Sequence, residues 1–446
     1  MQPNYLDERL PRYTSYPTAP HFSTAVGASD YRRWLAELPA ELDVSLYVHV
    51  PFCRSMCWYC GCHTTVALRD GPIEAYLASL RREIEAVAAL PVRPLHVRHL
   101  HFGGGTPTIL RPEDFAGLLA LLRHRFAFAP DAEIAVEIDP RRMASAMIAT
   151  LASQGVNRAS IGIQSFDPLV QRAINRIQSP QQTAEVVAGL RKAGVAAISF
   201  DLIYGLPGQS VDSCIETVEQ CLALAPDRIS VFGYAHLPGF KKHQRRIAEA
   251  DLPGGEARRA QAEAIAQRLV AGGFVRIGLD HFARPCDPMA IAWKEGRLHR
   301  NFQGYTTDAC QALLGFGPSA IGRLPQGYVQ NEPVIGPYRQ SIAAGELPVA
   351  RGYRLSAEDR LRGDVIERLM CDMKVDIEAV CRRHGLDRTV LADAGPALRA
   401  LASEGLIAFD GTHLQVAPQA RWMVRKVASA FDAHLQQSAR RYSPAA

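Results

Sequence analysis

Six short segments of this chain alternate between apolar and polar residues, and each is followed by a longer stretch with helical periodicity. They fall at 44–50, 97–102, 133–139, 158–164, 197–203 and 228–234. Six strand–helix units in series predict a parallel sheet with right-handed crossovers. The alternation constrains the fold further, because parallel strands buried on both faces read as continuous apolar runs. Here Val44, Leu46, Val48 and Val50 oppose Tyr47 and His49, Ile134, Val136 and Ile138 oppose Glu133, Glu137 and Asp139, and Ile198, Phe200 and Leu202 oppose Ser199 and Asp201. The apolar faces must meet the helices, so the polar faces line the interior. A closed eight-stranded barrel fills its interior with branched apolar side chains. A polar interior therefore predicts an α/β fold built as an open, partial (β/α)6 barrel around a large polar ligand.

The helical stretches carry matching stripes. Ile73, Leu77, Leu80, Ile84 and Val87 share one face, Phe115, Leu118, Leu119 and Leu122 mark another helix opened by Pro112, and a third is expected near 256–271. Residues 1–43 are proline- and aromatic-rich and read as an N-terminal arm packed on the body. The barrel with its extension is expected over 44–346. Beyond it the rhythm stops, and 347–446 reads as a mainly helical, winged-helix-like C-terminal domain. Its helices are expected near 357–370, 375–384 and 391–404, with two short strands around Ile407 and Leu414. A last helix is striped by Val424, Val427, Phe431 and Leu435. A net charge of +5 and the lack of a clear basic recognition helix argue against nucleic acid. No apolar stretch is long enough to span a membrane. Ten cysteines without a secretory pattern place the chain in a reducing cytoplasm.

The chemistry begins at Cys53, Cys57 and Cys60, in a Cys-x3-Cys-x2-Cys run just past the first strand. Three thiolates so spaced suit three irons of a [4Fe–4S] cube, leaving the fourth iron open to a small molecule, whereas an electron-transfer cluster takes four cysteines. Cys62 and His63 follow at once and keep a structural zinc site as an alternative. Gly103-Gly104-Gly105-Thr106-Pro107 follows the second strand and lets backbone approach a ligand closely. It fits neither phosphate-loop pattern. Glu137, Gln164 and Asp201 lie near the C-terminal ends of three strands on the polar face, where barrel enzymes place their ligand groups. Arg176 can pair with a carboxylate. His49 reads equally as a core or a functional histidine.

Six motifs together carry a resemblance. They are Pro11–Thr18, the Cys53–Cys62 run, Gly103–Thr108, Asp201–Pro207, Tyr234–Pro238 and His281–Pro285, and Arg300–Thr307 adds to them. The chain resembles the oxygen-independent coproporphyrinogen III oxidase (dehydrogenase) family of radical S-adenosylmethionine (SAM) enzymes of bacterial haem synthesis, nearly end to end. The related radical-SAM haem chaperones share the cysteines and the barrel. They typically lack the arm at 11–18, Cys62 and the Arg300–Thr307 run.

The resemblance implies one [4Fe–4S] cluster on Cys53, Cys57 and Cys60, with Cys62 nearby but not a ligand, and two SAM molecules. Tyr47, Gly104, Glu137 and Ile321 match the contacts to one SAM. Tyr59, Gly105, Thr106, Gln164, Arg176, Asp201 and Ala235 match those to the other. It further implies anaerobic oxidative decarboxylation of two propionates of coproporphyrinogen III to vinyl groups, giving protoporphyrinogen IX by a 5′-deoxyadenosyl radical mechanism. An electron donor and acceptor would be needed, and the chain would act as a monomer. A haem chaperone and a radical-SAM tetrapyrrole methyltransferase are the alternatives. The four propionates of such a substrate call for cationic partners, for which Arg141, Lys241, Arg284 and Arg300 are candidates.

Overall fold

The computed structural model describes residues 8–435; Pro3 and Tyr5 of the expected arm, and residues 436–446, lie outside the described residues. All six expected strands form, as β1 (Asp43–Val50), β2 (His96–Gly104), β3 (Ala127–Ile138), β4 (Arg158–Gln164), β5 (Ala197–Tyr204) and β6 (Arg228–Gly233). They pair in parallel in chain order. Six further strands extend the sheet: β7 (Val275–Ile277), β8 (His281–Ala283), β9 (Ala312–Phe316), β10 (Ile321–Leu324), β11 (Gly327–Asn331) and β12 (Val349–Arg354). Among the described residues the order is β12-β11-β10-β9-β1-β2-β3-β4-β5-β6-β8-β7. The end strands do not meet, so the sheet curls without closing. Strand β9 runs parallel to β1 and places Gly315 opposite Tyr47. The sequence reading had no strand there.

Apolar faces point to the helices as the alternation requires. Val44, Leu46, Val48, Val50, Ile161, Ile163 and Phe200 all belong to one core with Leu77, Leu80, Ile84, Phe115, Leu118 and Leu122. Those partners come from the helices Gly71–Ala88 and Pro112–Arg125. The polar face collects Tyr47, His101, Glu137, Ser160 and Asp201, with Glu137 level with Ser160 and Asp201 level with Ser230 in neighbouring strands.

One carboxylate sits on the wrong side of this division. Glu83, on the helix Gly71–Ala88, is 1% exposed and accepts from Gly317 N–H (2.8 Å), Asn331 Nδ2 (2.5 Å) and Tyr338 Oη (2.6 Å). It ties the turn after β9 to the barrel's outer layer. Burial pushes its carboxyl up to about 7 from an ordinary 4.5, against those three donors. The folded state therefore holds this proton more tightly than the unfolded chain. Its contribution to stability is fully present below the unfolded value and is lost as pH rises through about 7. Glu83→Ala strips three buried donors of their acceptor and is expected to cost roughly 2–4 kcal/mol in urea unfolding. Glu83→Gln should flatten the fall in stability between about pH 5 and 8.

The arm is more ordered than its composition predicts. It contains a helix, Ala28–Ala36, that buries Tyr31, Trp34 and Leu35. Ahead of it, Phe22 stacks on Tyr328 of β11 at 5.4 Å. Tyr13 and Tyr16 enter a second core with Leu361, Val365, Val427 and Phe431. That core holds the C-terminal helices Ala357–Asp372, Ile377–His384 and Gly395–Ser403 and a three-stranded sheet. The third strand of that sheet, Lys374–Asp376, was not expected, and the last helix is shorter than its stripe suggested, ending at Ser429. Val424, Val427 and Phe431 are buried as foreseen.

Candidate active site

A cavity of about 710 Å³ opens at the C-terminal ends of the parallel strands. Cys53, Cys57, Cys60 and Cys62 line one side of it, and Gly104, Gly105, Thr106, Glu137, Gln164, Arg176, Asp201 and Ala235 line the rest with Tyr59. Tyr47 stands just behind this wall, its hydroxyl 3.0 Å from His49 Nδ1 and its ring stacked near His101 at 5.9 Å. Ile321 lies on β10, two strands from β1, and is not on the cavity wall.

The cysteine loop is held through its backbone by residues distant in sequence. Gln244 Nε2 donates to Tyr59 O (2.9 Å), His243 Nε2 meets Cys60 O (2.7 Å) and Lys241 Nζ donates to Cys62 O (2.9 Å). Trp58 N–H donates to Ile174 O at 2.9 Å and Asn175 Nδ2 to Met56 O at 2.8 Å. Asn175 has φ 56°, a left-handed conformation that asparagine tolerates, and this turn delivers Arg176 to the cavity. Lys241, a candidate for propionates, is thus engaged in shaping the loop.

The thiols sit in different surroundings. Cys53 Sγ lies 3.4 Å from the hydroxyls of Thr106 and Thr64. Burial pushes its thiol up, and those hydroxyls oppose the shift. Cys57 Sγ lies 3.4 Å from Arg141 Nη2 and 3.7 Å from Arg176 Nη1, so two guanidiniums flank this sulfur. The neighbouring Cys62 thiol is the chief influence that holds the Cys60 thiol below its usual range. Among the described residues no three His, Cys, Asp or Glu side chains converge as ligands of one metal ion. A four-iron cluster asks instead for thiolates spread around a cube, one to an iron. Three cysteines along one wall of a large cavity fit that demand.

The glycine run has a steric cause. Gly104 has φ +115°, and a Cβ there would lie 2.7 Å from the His49 ring. At Gly105 a Cβ would meet Phe52 O and Thr64 Oγ1 at 2.5 Å. The backbone passes between the cysteine loop and β1 with no space for side chains. Gly104 N–H donates to Glu137 Oε2 at 3.1 Å, and His101 Nε2 lies 3.1 Å from Oε1, which fixes that carboxylate at the cavity wall. His49 is 5% exposed, burial lowers its pKa to about 4, and its Nε2 meets His63 O at 2.8 Å. It is a neutral spacer between the first strand and the cysteine loop.

Gln164 is held at φ 70°, a left-handed conformation unusual for a side-chain-bearing residue, at a break in the β4–β5 register. Strain of this kind persists where surrounding structure imposes it, and it turns Gln164 toward the cavity. Asp201 accepts from Ser160 Oγ at 2.9 Å, and burial raises its carboxyl. Arg176 Nη2 donates to Gly162 O at 2.5 Å, while its buried Nε has no partner among the described residues.

Sequence reasoning missed Asp139. Arg141 binds it through Nε (2.9 Å) and Nη2 (2.6 Å), and Arg176 Nη2 lies 3.5 Å away, so one carboxylate orders both cations beside Cys57. Arg141, expected at substrate propionates, is spent on this pair. Arg284 is remote, stacked 4.2 Å over Phe274 and donating to Gly272 O at 3.0 Å.

The radical SAM superfamily model matches residues 47–221 and the HemN C-terminal domain model residues 355–423. An oxygen-independent coproporphyrinogen III oxidase of Bradyrhizobium diazoefficiens is 60% identical over 97% of this chain and 96% of its own. The chain belongs to the oxygen-independent coproporphyrinogen III oxidase family. A member of that family from Paracoccus denitrificans is 42% identical over 96% of this chain and 95% of its own. The solved coproporphyrinogen III oxidase (HemN) of Escherichia coli, a radical SAM enzyme, superposes with TM-score 0.91 at 39% identity, covering 95% of this chain and 98% of that one. Like the rest of its family, the chain is a radical SAM enzyme that works with a [4Fe–4S] cluster and SAM. No helix among the described residues is long and apolar enough to cross a membrane.

Gln164→Ala and Asp201→Ala are each expected to weaken SAM binding by roughly 1–3 kcal/mol, the cost of losing a buried hydrogen bond. Anaerobic titration of cluster-loaded protein checks this. Unchanged affinity in both variants removes them from the site.

Proposed function

We propose that this chain carries out the anaerobic oxidative decarboxylation of two propionates of coproporphyrinogen III, giving protoporphyrinogen IX. The observation that carries the reading is the composition of one cavity wall. Leu10 and Arg12 of the arm and Phe302 of the Arg300–Thr307 run line the same cavity as the three cysteines. Those two segments separate the family from the haem chaperones.

Cys53, Cys57 and Cys60 would hold the cluster. Tyr47, Gly104, Glu137 and Ile321 would serve one SAM, and Tyr59, Gly105, Thr106, Gln164, Arg176, Asp201 and Ala235 a second. When bound, the cluster and SAM supply the hydrogen-atom abstraction that lets each propionate lose CO2 and one further electron to become a vinyl group. The chain's own residues bind, orient and shield. Arg176 and Arg141 set positive charge beside Cys57, Glu137 fixes the glycine run, and Ser160 and Asp201 present a polar floor. The reading makes the protein a cytoplasmic monomer that draws on a separate electron donor and acceptor. Ten unpaired cysteines agree with a reducing compartment.

The test is product analysis after anaerobic incubation of cluster-loaded protein with coproporphyrinogen III, SAM and a reductant. Protoporphyrinogen IX is the expected product. Haem binding without turnover would make the chain a chaperone, and a methylated tetrapyrrole would make it a methyltransferase.

A further inference from the structure

A second cavity, of about 350 Å³, adjoins the first between β6, the helix Gly255–Ala271 and the C-terminal region. Arg12, Phe232, Gly233 and Tyr234 line both. Its wall carries Arg12, Arg258, Arg276, Arg300, Arg421 and Arg425. Among the described residues only two acidic side chains line it: Glu263, paired with Arg276 at 3.2 Å, and Asp280, which lies 2.8 Å from His281 and whose charge is felt by Arg12 and Arg300. Positive charge is therefore left in excess around an enclosed space.

Arg300 makes the case sharpest. Its guanidinium stacks over Tyr305 at 4.4 Å and gives Nη2 to Arg12 O at 3.3 Å. Its buried Nε and Nη1 have no hydrogen-bond partner among the described residues. Arg276 Nε is orphaned in the same way. Buried donors are normally satisfied, and exceptions mark a missing partner. Arg425, 6% exposed, shows the crowding: burial and the charges of Arg12 and Arg300 lower its guanidinium to about 10. Guanidiniums with spare donors are the preferred partners of carboxylates.

We propose that this arginine-lined chamber receives carboxylate arms of the tetrapyrrole, holding propionates that are not reacting while another is presented in the cysteine-lined cavity. The shared wall at Arg12 and Tyr234 gives the macrocycle a path between the two spaces. A volume near the low end of small-molecule sites, which run from about 300 Å³, suits side arms. The inference rests on the proposed substrate.

Anaerobic binding of coproporphyrinogen III and of its tetramethyl ester to cluster-loaded protein, without reductant, tests it. The parent should prefer the free acid by at least about tenfold. Arg300→Gln combined with Arg421→Gln should weaken binding of the acid by roughly 10- to 100-fold while leaving the ester unchanged, so the preference collapses. Cluster content and unfolding midpoint show whether the double variant is folded. If it is not, each single variant is scored by the same acid-to-ester ratio. A parent without acid preference, or folded variants that retain it, overturns the chamber. A parent that keeps the preference yet yields no protoporphyrinogen IX overturns the proposed reaction and leaves the chamber standing.

Discussion

Serine at Cys53, Cys57 or Cys60 is expected to remove the iron–sulfur absorption and reduce turnover to background, whereas Cys62→Ser should retain the cluster. A hydroxyl is a poor substitute for a thiolate toward iron, so each ligand lost opens one iron of the cube. The surroundings make the three unequal in detail. Cys57 sits against Arg141 and Arg176 at 3.4 and 3.7 Å. Its serine variant would leave the two guanidiniums with Asp139 as their remaining anion and should be the least able to recover iron on reconstitution. Cys62 lies close enough to Cys60 to lower its thiol, and the proposed assignment makes it a neighbour of the cluster and not a ligand. Iron and sulfide analysis of anaerobically purified variants decides the matter. A Cys62 variant without iron, beside any of the other three with a full complement, refutes the assignment.

Tyr16→Ala is expected to destabilise the C-terminal region by about 3–5 kcal/mol, the range for deleting a buried aromatic side chain. Tyr16 is 5% exposed among Leu361, Val365 and Phe431. Its hydroxyl accepts from Ala433 N–H at 3.0 Å, and its ring lies 5.6 Å from that of His434. Tyr16→Phe gives up only that acceptor and should cost about 1 kcal/mol. The consequence reaches the site, because the same arm places Leu10 and Arg12 on the cavity wall. Tetrapyrrole turnover should therefore fall further than SAM cleavage measured without substrate. Urea unfolding and the two assays together check it. Equal losses in both assays would mean that the arm has no part in handling the tetrapyrrole.

The barrel was legible because each strand has one face in a core and one on a wet cavity, so period two survives in the residues. Ala312–Phe316 escaped notice for the opposite reason. It is a short, nearly continuous apolar run, and it follows a loop-rich stretch rather than a helix. Among site residues, Glu137, Gln164 and Asp201 announce themselves by standing polar at the ends of apolar-alternating strands. Asp139 did not, since its importance lies in drawing Arg141 and Arg176 to one point, and Arg176 is far along the chain. The clamp on the cysteine loop by Lys241, His243 and Gln244 was invisible likewise. It acts through backbone carbonyls, which no residue identity records.

The arm's anchorage also orders events during synthesis. Tyr13 and Tyr16 are made before the barrel, yet their partners Val427 and Phe431 are made only after it. No contact between them can exist until the barrel that separates them in sequence has been made. Chains grow N-terminus first, and earlier portions fold as they emerge. The thiol-bearing loop and its strands are thus complete while the side closed by Leu10 and Arg12 is still missing. Until the C-terminal region docks the arm, the cavity that Cys53, Cys57 and Cys60 line lacks that wall.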